Sequence, residues 1–373
     1  MEAVCIAVLR AVAKRSMREW GLTLEYCDFD LEVLGDRRVR ASSDQGEVVE
    51  LLALDRGELG LGLELVARGV TNEHLLKALG GELFAGLMPG DIEGHFRAAL
   101  ARAQANGQGV RLRLIIEPPE LAVLPWELLF DWDTNTYLAT STDTALCRYI
   151  PARADIREIG AASPPLQILL VISDPDDLPR LDADGEERMV RDALRENLAS
   201  GQIVLDVLWD ATILGINRKL REKPYHVLHF SGHGGFVGGR GHLALLGDDR
   251  RARMVDDETF SNLFLGHRSL GLVVLNACRS AGGPSHRALA GMAPLVVSRG
   301  VPAVVSMQYV ITEVTGKLFS AEFYHALGLG WPVDAAIQTT RNAIAMHVGL
   351  DRADFAVPVL YMRAKDGVVL SGL

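Results

Sequence analysis

Apolar and polar positions in the first 150 residues alternate over short stretches that are separated by helical patterns. The two-residue alternation predicts strands over 22–34, 38–42, 110–116, 137–140 and 145–150. Apolar residues spaced three or four positions apart predict helices over 1–20, 72–79 and 91–106. The first part of the chain is therefore predicted to mix strands and helices.

From residue 166 onward the pattern becomes a regular alternation of apolar runs and helical segments. The runs predict strands over 166–173, 203–209, 225–230, 270–276, 303–307 and 357–362, with a Gly-rich hairpin over 234–247. The helical segments cover 185–198, 212–221, 256–265, 288–298, 312–328 and 333–347. Such alternation is typical of an α/β fold in which a mostly parallel central sheet is flanked by helices.

A stretch rich in Arg, Ala, Gly, Ser and Pro separates the two patterns over residues 152–165. Because breakers of this kind mark boundaries, we predict two domains, residues 1–160 and residues 161–373. The total length of 373 residues agrees with two domains.

The composition excludes several classes of protein. Hydrophobic residues make up 49% and charged residues 23% of the chain, as in a globular protein with a full core. The net charge of −10 argues against direct nucleic-acid binding, which needs a clustered basic surface. No apolar run approaches the roughly 18 residues of a membrane span, and no cleavage site follows the short apolar run near the N-terminus.

The four cysteines are scattered along the chain and form no Cys-x-x-Cys pair. This arrangement argues against a disulfide framework and against a zinc site. It fits the reducing environment of the cytoplasm, where a free thiolate survives. We therefore expect a cytoplasmic protein with no membrane association, no metal and no organic cofactor.

Two predicted strands end at a histidine and at a cysteine. The first runs into Ser231-Gly232-His233-Gly234 and the second into Asn276-Ala277-Cys278. Since the carboxyl ends of neighbouring parallel strands lie at one edge of a sheet, His233 and Cys278 are predicted to lie side by side. A cysteine nucleophile needs such a base, so the pattern predicts a cysteine hydrolase. Backbone N–H groups after His233 and at Cys278 are placed to stabilise an oxyanion.

Other residues leave alternatives open. His226 and His229 lie in the same predicted strand as His233 and are alternative bases, although both precede the strand end. A metal site formed by His229, His233 and one cysteine would fall short of the ligand count of a closed site. Glu127, in an apolar segment, is either a catalytic carboxylate or a structural one paired with a cation such as Arg148.

The sequence resembles the CHAT-domain family of caspase-like cysteine peptidases. The segments His229-Phe230-Ser231-Gly232-His233-Gly234 and Leu275-Asn276-Ala277-Cys278-Arg279-Ser280 are similar to the family's two catalytic motifs. The segments Leu124-Pro125-Trp126-Glu127-Leu128-Leu129, Arg148-Tyr149, 303–308, 335–341 and 355–361 are similar to further parts of the family. The resemblance covers roughly residues 75–373.

This resemblance implies a caspase-hemoglobinase fold. Residues 1–160 would form a pseudo-caspase-like half without the dyad, and residues 161–373 would form the catalytic half. It also implies Cys278 as nucleophile, His233 as base, and the backbone N–H groups of Gly234 and Cys278 as the oxyanion hole.

The resemblance further implies a biological role, because CHAT proteins act in bacterial immunity and antiviral defence. The expected function is a regulated cysteine endopeptidase that a sensor or activator protein switches on. Its expected substrate is a protein, such as a gasdermin or a dedicated effector. The alternative is a catalytically silent CHAT-fold module that serves as an interaction partner or scaffold.

The substrate-binding residues are predicted from position and charge. Asp174 and Asp176 follow the first strand of the second part, on the sheet edge expected to carry the dyad. They either attract a basic substrate side chain or belong to a solvated acidic loop. Gln308, at the end of the strand over 303–307, is a further pocket candidate. Glu313 stands where the family often has Asp, in a segment near the pocket.

Overall fold

The computed structural model describes residues 25–54, 56–151, 165–209, 211–237, 240–280, 291–309 and 311–370. The helix predicted over 1–20 lies outside these residues, and so does nearly all of the boundary stretch predicted over 152–165. The division predicted between residues 160 and 161 falls in that undescribed stretch.

The first part of the described chain contains seven strands and four α-helices. The strands are β1 (Tyr26–Val33), β2 (Arg38–Ser43), β3 (Gly46–Leu51), β4 (Gly109–Ile116), β5 (Phe130–Asp131), β6 (Thr136–Tyr137) and β7 (Thr144–Tyr149). The helices are α1 (Arg56–Ala67), α2 (Glu73–Leu87), α3 (Asp91–Ala105) and α4 (Pro119–Ala122), with 3-10 turns at Trp126–Leu128 and Leu138–Thr140.

The second part of the described chain alternates strands and helices. The strands are β8 (Leu166–Ile172), β9 (Ile203–Leu208), β10 (Val227–Val237), β11 (Arg240–Leu246), β12 (Ala252–Asp256), β13 (Leu272–Ser280), β14 (Ala303–Met307) and β15 (Pro358–Met362). The helices are α5 (Ala183–Ala193), α6 (Arg195–Ala199), α7 (Ile213–Glu222), α8 (Asp257–Ser261), α9 (Met292–Ser298), α10 (Glu313–Gly328) and α11 (Val333–Val348), with 3-10 turns at Asn262–Phe264 and Ala353–Ala356.

One large sheet runs through both parts. Its main path has the order β12-β11-β10-β13-β14-β15-β7-β4-β1-β2-β3, and β8 and β9 extend from β10. The neighbours β10–β13, β13–β14, β15–β7, β7–β4 and β4–β1 are parallel, whereas β14–β15 and the marginal hairpins are antiparallel. The mostly parallel sheet expected from the sequence is therefore confirmed.

Helices cover the sheet on both faces. Leu170 of β8 and Val274 of β13 enter one core, which also contains Phe319 of α10. Leu169, the neighbour of Leu170, enters a second core together with Val297 of α9. Adjacent residues of one strand thus point into opposite cores, which explains why these strands are continuous apolar runs.

Several elements differ from the sequence-based expectation. The elements α1, α4, β3, β5 and β12 were not predicted, and the strand expected over 137–140 is a 3-10 turn after the short β6. The helix expected over 185–198 is interrupted at Leu194, which separates α5 from α6. β10 continues seven residues beyond its predicted end at Phe230. Its Gly-rich part is a poor strand former by itself, but antiparallel pairing with β11 holds it in the sheet.

None of the described helices has the length and apolar character needed to cross a membrane.

Candidate active site

The strands that carry His233 and Cys278 are direct neighbours. β10 and β13 pair in parallel from Val227 opposite Leu272 to Gly232 opposite Ala277. The register then shifts, so that His233 lies opposite Arg279. Cys278 therefore occupies the extra position of a β-bulge in β13, next to His233. The structure brings the backbones of the two predicted catalytic residues together.

At the position of the bulge, β10 also changes its partner on the side away from β13. β10 pairs in parallel with β8 as far as Ser231, and from His233 onward it pairs with β11 in antiparallel fashion. Gly234 lies opposite Leu243 of β11 and Ser280 of β13. Bulges are common next to active sites because they redirect the backbone and its side chains.

His233 is fully buried and lies on the same face of β10 as His229 and Ser231, because side chains alternate along a strand. Gly232 between them faces the other way. A Cβ atom at Gly232 would lie only 2.4 Å from the ring of Phe230, so packing requires a glycine immediately before His233.

A buried polar cluster lies on the same face of β10 as His233, nearer to the start of the strand. Its members are Glu186, His229, Asn276, Ser320 and Tyr324, and we call it the Glu186 cluster. Ser320 Oγ and Asn276 Nδ2 each donate a hydrogen bond of 2.8 Å to Glu186 Oε1. His229 Nε2 lies 3.3 Å from the same oxygen. His229 Nδ1 lies 2.9 Å from the Tyr324 hydroxyl.

The electrostatics of the Glu186 cluster favour a charged carboxylate. Burial alone would raise the pKa of Glu186, but the contacts with His229, Ser320 and Asn276 outweigh it and hold that pKa below its usual value. Burial raises the pKa of Tyr324 well above its usual value, so this phenol stays neutral. One carboxylate oxygen therefore connects α5 and α10 with both strands of the predicted dyad.

Sequence reasoning did not identify Glu186 as a site residue. A signal was present, because Glu186 precedes Val190 by four residues and so lies on the apolar stripe of its helix. A carboxylate on a buried stripe requires partners, and these come from β10, β13 and α10.

A small cavity of about 30 Å³ lies beside the Glu186 cluster, between the first turns of α5 and α10. Its described lining residues are Arg180, Leu181, Asp182, Glu186, Ser231, Glu313 and Lys317. At its mouth Lys317 Nζ binds Asp182 and also Glu313 Oε1, the latter at 2.8 Å. The contact with Lys317 is the main reason why the pKa of Asp182 is lowered.

The acidic residues predicted to bind substrate are held by arginines. Asp174 Oδ2 lies 2.9 Å from Arg180 Nη1, and Asp174 also accepts a hydrogen bond from the Leu181 backbone. Asp176 contacts Arg180 and Arg250, at 3.2 Å in each case. Neither aspartate is among the described residues that line the cavity.

Gln308 lies in a different buried cluster. Its Nε2 donates a hydrogen bond of 2.9 Å to Glu127 Oε2, and its Oε1 accepts one of 3.1 Å from Arg148. Arg148 also binds Glu127 through Nε at 3.1 Å and through Nη2 at 2.6 Å. The pairing of Glu127 with Arg148 that the structural interpretation expects is therefore present in the structure.

The alternative histidines have other partners. His226 lies just before the start of β10, where its Nδ1 accepts a hydrogen bond of 2.9 Å from the Gln167 backbone. At roughly 3.3 Å per residue, it is about 23 Å from His233 along the strand. His229 belongs to the Glu186 cluster. Within the described residues, no group of three His, Cys, Asp or Glu side chains is arranged to hold a metal ion.

Comparison with solved structures shows the fold. One structure of separase from the Saccharomyces cerevisiae separase–securin complex matches 94% of this chain and 31% of the separase chain, with a TM-score of 0.53 and 10% identity. A second structure of that complex matches 68% of this chain and 15% of the separase chain, with a TM-score of 0.40 and 16% identity. The present chain thus spans less than a third of the separase chains that it matches.

The Arg-specific cysteine proteinase gingipain R is a further match, over 78% of this chain and 70% of its own, with a TM-score of 0.47 and 12% identity. At such low identity the similarity with separase establishes the caspase-like fold and nothing more. The caspase-hemoglobinase fold implied by the sequence motifs is thereby confirmed.

A comparison with curated protein sequences gives no match. The family model of the CHAT domain, in contrast, matches residues 77–353, which is most of the chain and includes both strands of the predicted dyad. The chain therefore belongs to the CHAT-domain family.

Proposed function

We propose that this protein is a cysteine endopeptidase in which Cys278 is the nucleophile and His233 is the general base. The observation that carries the proposal is the β-bulge that sets Cys278 beside His233 on adjacent strands, in a chain of the CHAT family. A cysteine and a histidine without a shared function would not be expected to meet at this bulge, where β10 passes from pairing with β8 to pairing with β11.

The proposed reaction follows from the chemistry of the two residues. His233 accepts the thiol proton, and the Cys278 thiolate attacks the carbonyl carbon of the scissile peptide bond. The backbone N–H groups of Gly234 and Cys278 stabilise the resulting oxyanion. The imidazolium returns the proton to the leaving amine, which leaves an acyl-enzyme, and water then releases the acid with His233 as base.

The proposal extends to regulation. A CHAT-family peptidase in the cytoplasm would need control, and we propose that a sensor or activator protein supplies it as part of a bacterial antiviral defence system. The substrate would be a protein, for example a gasdermin or a dedicated effector. The separase structures that this chain resembles were determined as complexes with securin, which illustrates that this fold accommodates a protein partner.

The proposal is tested by comparing cellular proteins cleaved in the presence of wild type, Cys278→Ala and His233→Ala. New N-termini that appear with wild type should be lost with both variants, by a factor of roughly 10³ or more in rate. Cys27→Ala is the matched control, since Cys27 is a free, partly exposed cysteine in β1. Its cleavage should equal that of wild type.

Persistent cleavage by folded Cys278→Ala protein would refute the assignment of the nucleophile. A peptidyl electrophile that labels Cys278 would add direct support. Complete inertness with every activating partner present would instead favour the alternative, a catalytically silent interaction or scaffold module.

A further inference from the structure

Glu186, at the base of the cavity between α5 and α10, has one carboxylate oxygen to which no described residue donates a hydrogen bond. Glu186 Oε1 accepts two hydrogen bonds and faces His229. Among the residues that the structure describes, none donates a hydrogen bond to the other oxygen, Oε2. Glu186 is only 6% exposed and lines the cavity. Among the described residues, Oε2 is not one of the fully buried atoms that lack a partner, so it retains access to the cavity, where a charged acceptor favours a ligand that supplies a donor.

Ser231 provides a second polar group at the base of the cavity. This residue is 4% exposed and lines the cavity with Glu186. In the described part of the chain its hydroxyl has no hydrogen-bond partner. One charged acceptor and one hydroxyl, both nearly buried, thus face the same small space.

The charge of the lining favours a cation. Three lining carboxylates, those of Asp182, Glu186 and Glu313, face two lining cations, Arg180 and Lys317. Arg180 is held by Asp174 and Asp176, and Lys317 is shared between Asp182 and Glu313 at the mouth. Neither cation contacts Glu186. The lowered pKa of Glu186 keeps this carboxylate charged at neutral pH.

The cavity lies close to the predicted catalytic positions. Ser231 precedes His233 by two residues on the same face of β10, which is about 7 Å along the strand. Asn276, which donates to Glu186, precedes Cys278 by two residues in β13. A peptide whose scissile carbonyl lies at Cys278 can therefore place a neighbouring side chain in the cavity.

We propose that this cavity is the subsite that recognises a lysine side chain of the substrate, with the ammonium group bound by Glu186 Oε2 and the Ser231 hydroxyl. The proposal rests on the peptidase function proposed above. At about 30 Å³ the cavity is small, which favours the compact ammonium group of lysine over the larger, planar guanidinium of arginine. Leu181 in the wall offers apolar contact to the aliphatic stem.

The first test uses acyloxymethyl ketone peptides that end in lysine, norleucine or glutamate. Norleucine has nearly the shape of lysine without the charge. The rate of covalent labelling of wild-type Cys278 should be roughly tenfold or more higher for lysine than for norleucine, and lowest for glutamate. Glu186→Gln keeps the shape of the side chain but removes its charge, so the ratio of lysine to norleucine should fall to about one.

Two further variants control this experiment. Glu187→Gln removes the same charge one residue along the helix, where Glu187 forms a surface pair with Arg191, and should keep the wild-type ratio. Ser231→Ala removes one ligand outside the Glu186 cluster, and should lower the ratio even if Glu186→Gln fails to fold. Equal rates for lysine and norleucine with wild type would overturn the proposal while leaving the peptidase function intact.

A second test does not depend on catalysis. The Cys278→Ala protein is titrated with n-butylammonium, a mimic of the lysine side chain, and with n-pentanol as a neutral analogue, and binding is followed by NMR. Saturable binding of n-butylammonium alone, lost in the Cys278→Ala/Ser231→Ala double variant, supports the subsite even if no peptide probe reacts, in which case only the peptidase proposal fails. Absence of saturable n-butylammonium binding likewise refutes the subsite, whatever the labelling result.

Discussion

The buried pair of Glu127 and Arg148 predicts a loss of stability when Glu127 is replaced. The size of that loss follows from the presence of a second buried arginine near the same carboxylate. Glu127 and Arg341 are fully buried, and Arg148 is 5% exposed. Two guanidinium groups therefore share one carboxylate, since Arg341 Nη2 lies 3.9 Å from Glu127 Oε1. Burial lowers the pKa of Arg341 to about 10, and the Glu127 carboxylate opposes that shift. Replacement of Glu127 by Gln leaves both cations buried without a counter-charge.

Breaking a buried ion pair by removing one partner costs about 3–5 kcal/mol. Arg148 keeps its hydrogen bonds to the carbonyl oxygens of Ala122 and Leu124, and Arg341 keeps those to Leu146 and Pro358, so the loss is electrostatic. An unfolding entropy of about 2.1 cal/mol/K per residue gives roughly 0.8 kcal/mol/K for the 373 residues. Glu127→Gln should therefore lower the Tm by about 4–6 °C.

Differential scanning calorimetry at neutral pH measures this shift, with Glu120→Gln as the control. Glu120 is exposed and lies seven residues upstream, so its variant should melt within about 1 °C of wild type. The double variant Glu127→Met/Arg148→Met should recover only part of the loss, because Arg341 remains charged and buried. A Tm decrease below about 1 °C for Glu127→Gln would show that the carboxylate does not balance the two arginines.

Two further predictions concern packing and thiol reactivity. Gly80→Ala should lower stability by about 1–3 kcal/mol, because the new Cβ would lie 2.1 Å from the Leu128 carbonyl oxygen. Gly94→Ala in the next helix, where no atom lies within 4 Å, should raise stability by up to about 1 kcal/mol; equal melting temperatures for both variants would contradict the packing argument. Cys147 is fully buried and burial raises its pKa to about 12, so iodoacetamide at pH 8 should modify it only after unfolding. Stoichiometric modification of Cys147 in the native protein, detected by mass spectrometry, would show that this strand opens.

The parallel sheet could be predicted from the sequence because its strands are buried on both faces. Leu166–Ile172 and the first part of β13 are apolar at nearly every position, a pattern that requires a core on each side. The intervening helical patterns then determine the direction of successive strands. The predicted helix ends were less accurate where a helix is interrupted, as at Leu194, because hydrophobic periodicity does not reveal a local break.

The geometry of the candidate site could be predicted only in part. The proximity of His233 and Cys278 was predicted from two strand ends, yet neither residue lies at the end of its strand. The sequence gives no sign of the bulge at Cys278, because a register shift depends on pairing between residues 45 positions apart. For the same reason the arginine partners of Asp174 and Asp176, one of them from the β11–β12 turn, could not be foreseen.

Glu186 contributes both to the position of the strand that bears Cys278 and to the cavity proposed to bind the substrate side chain. Its Oε1 holds Asn276 of the strand that bears Cys278, and the same side chain lines the cavity together with Ser231. Glu186→Gln therefore acts on the position of the strands and on the charge of the cavity, whereas Ser231→Ala acts on the cavity alone. Iodoacetamide reacts with Cys278 without using the cavity, so its rate separates the two effects. A lower rate in Glu186→Gln but not in Ser231→Ala would assign to Oε1 the positioning of the nucleophile. Equal rates in both would limit Glu186 to substrate recognition.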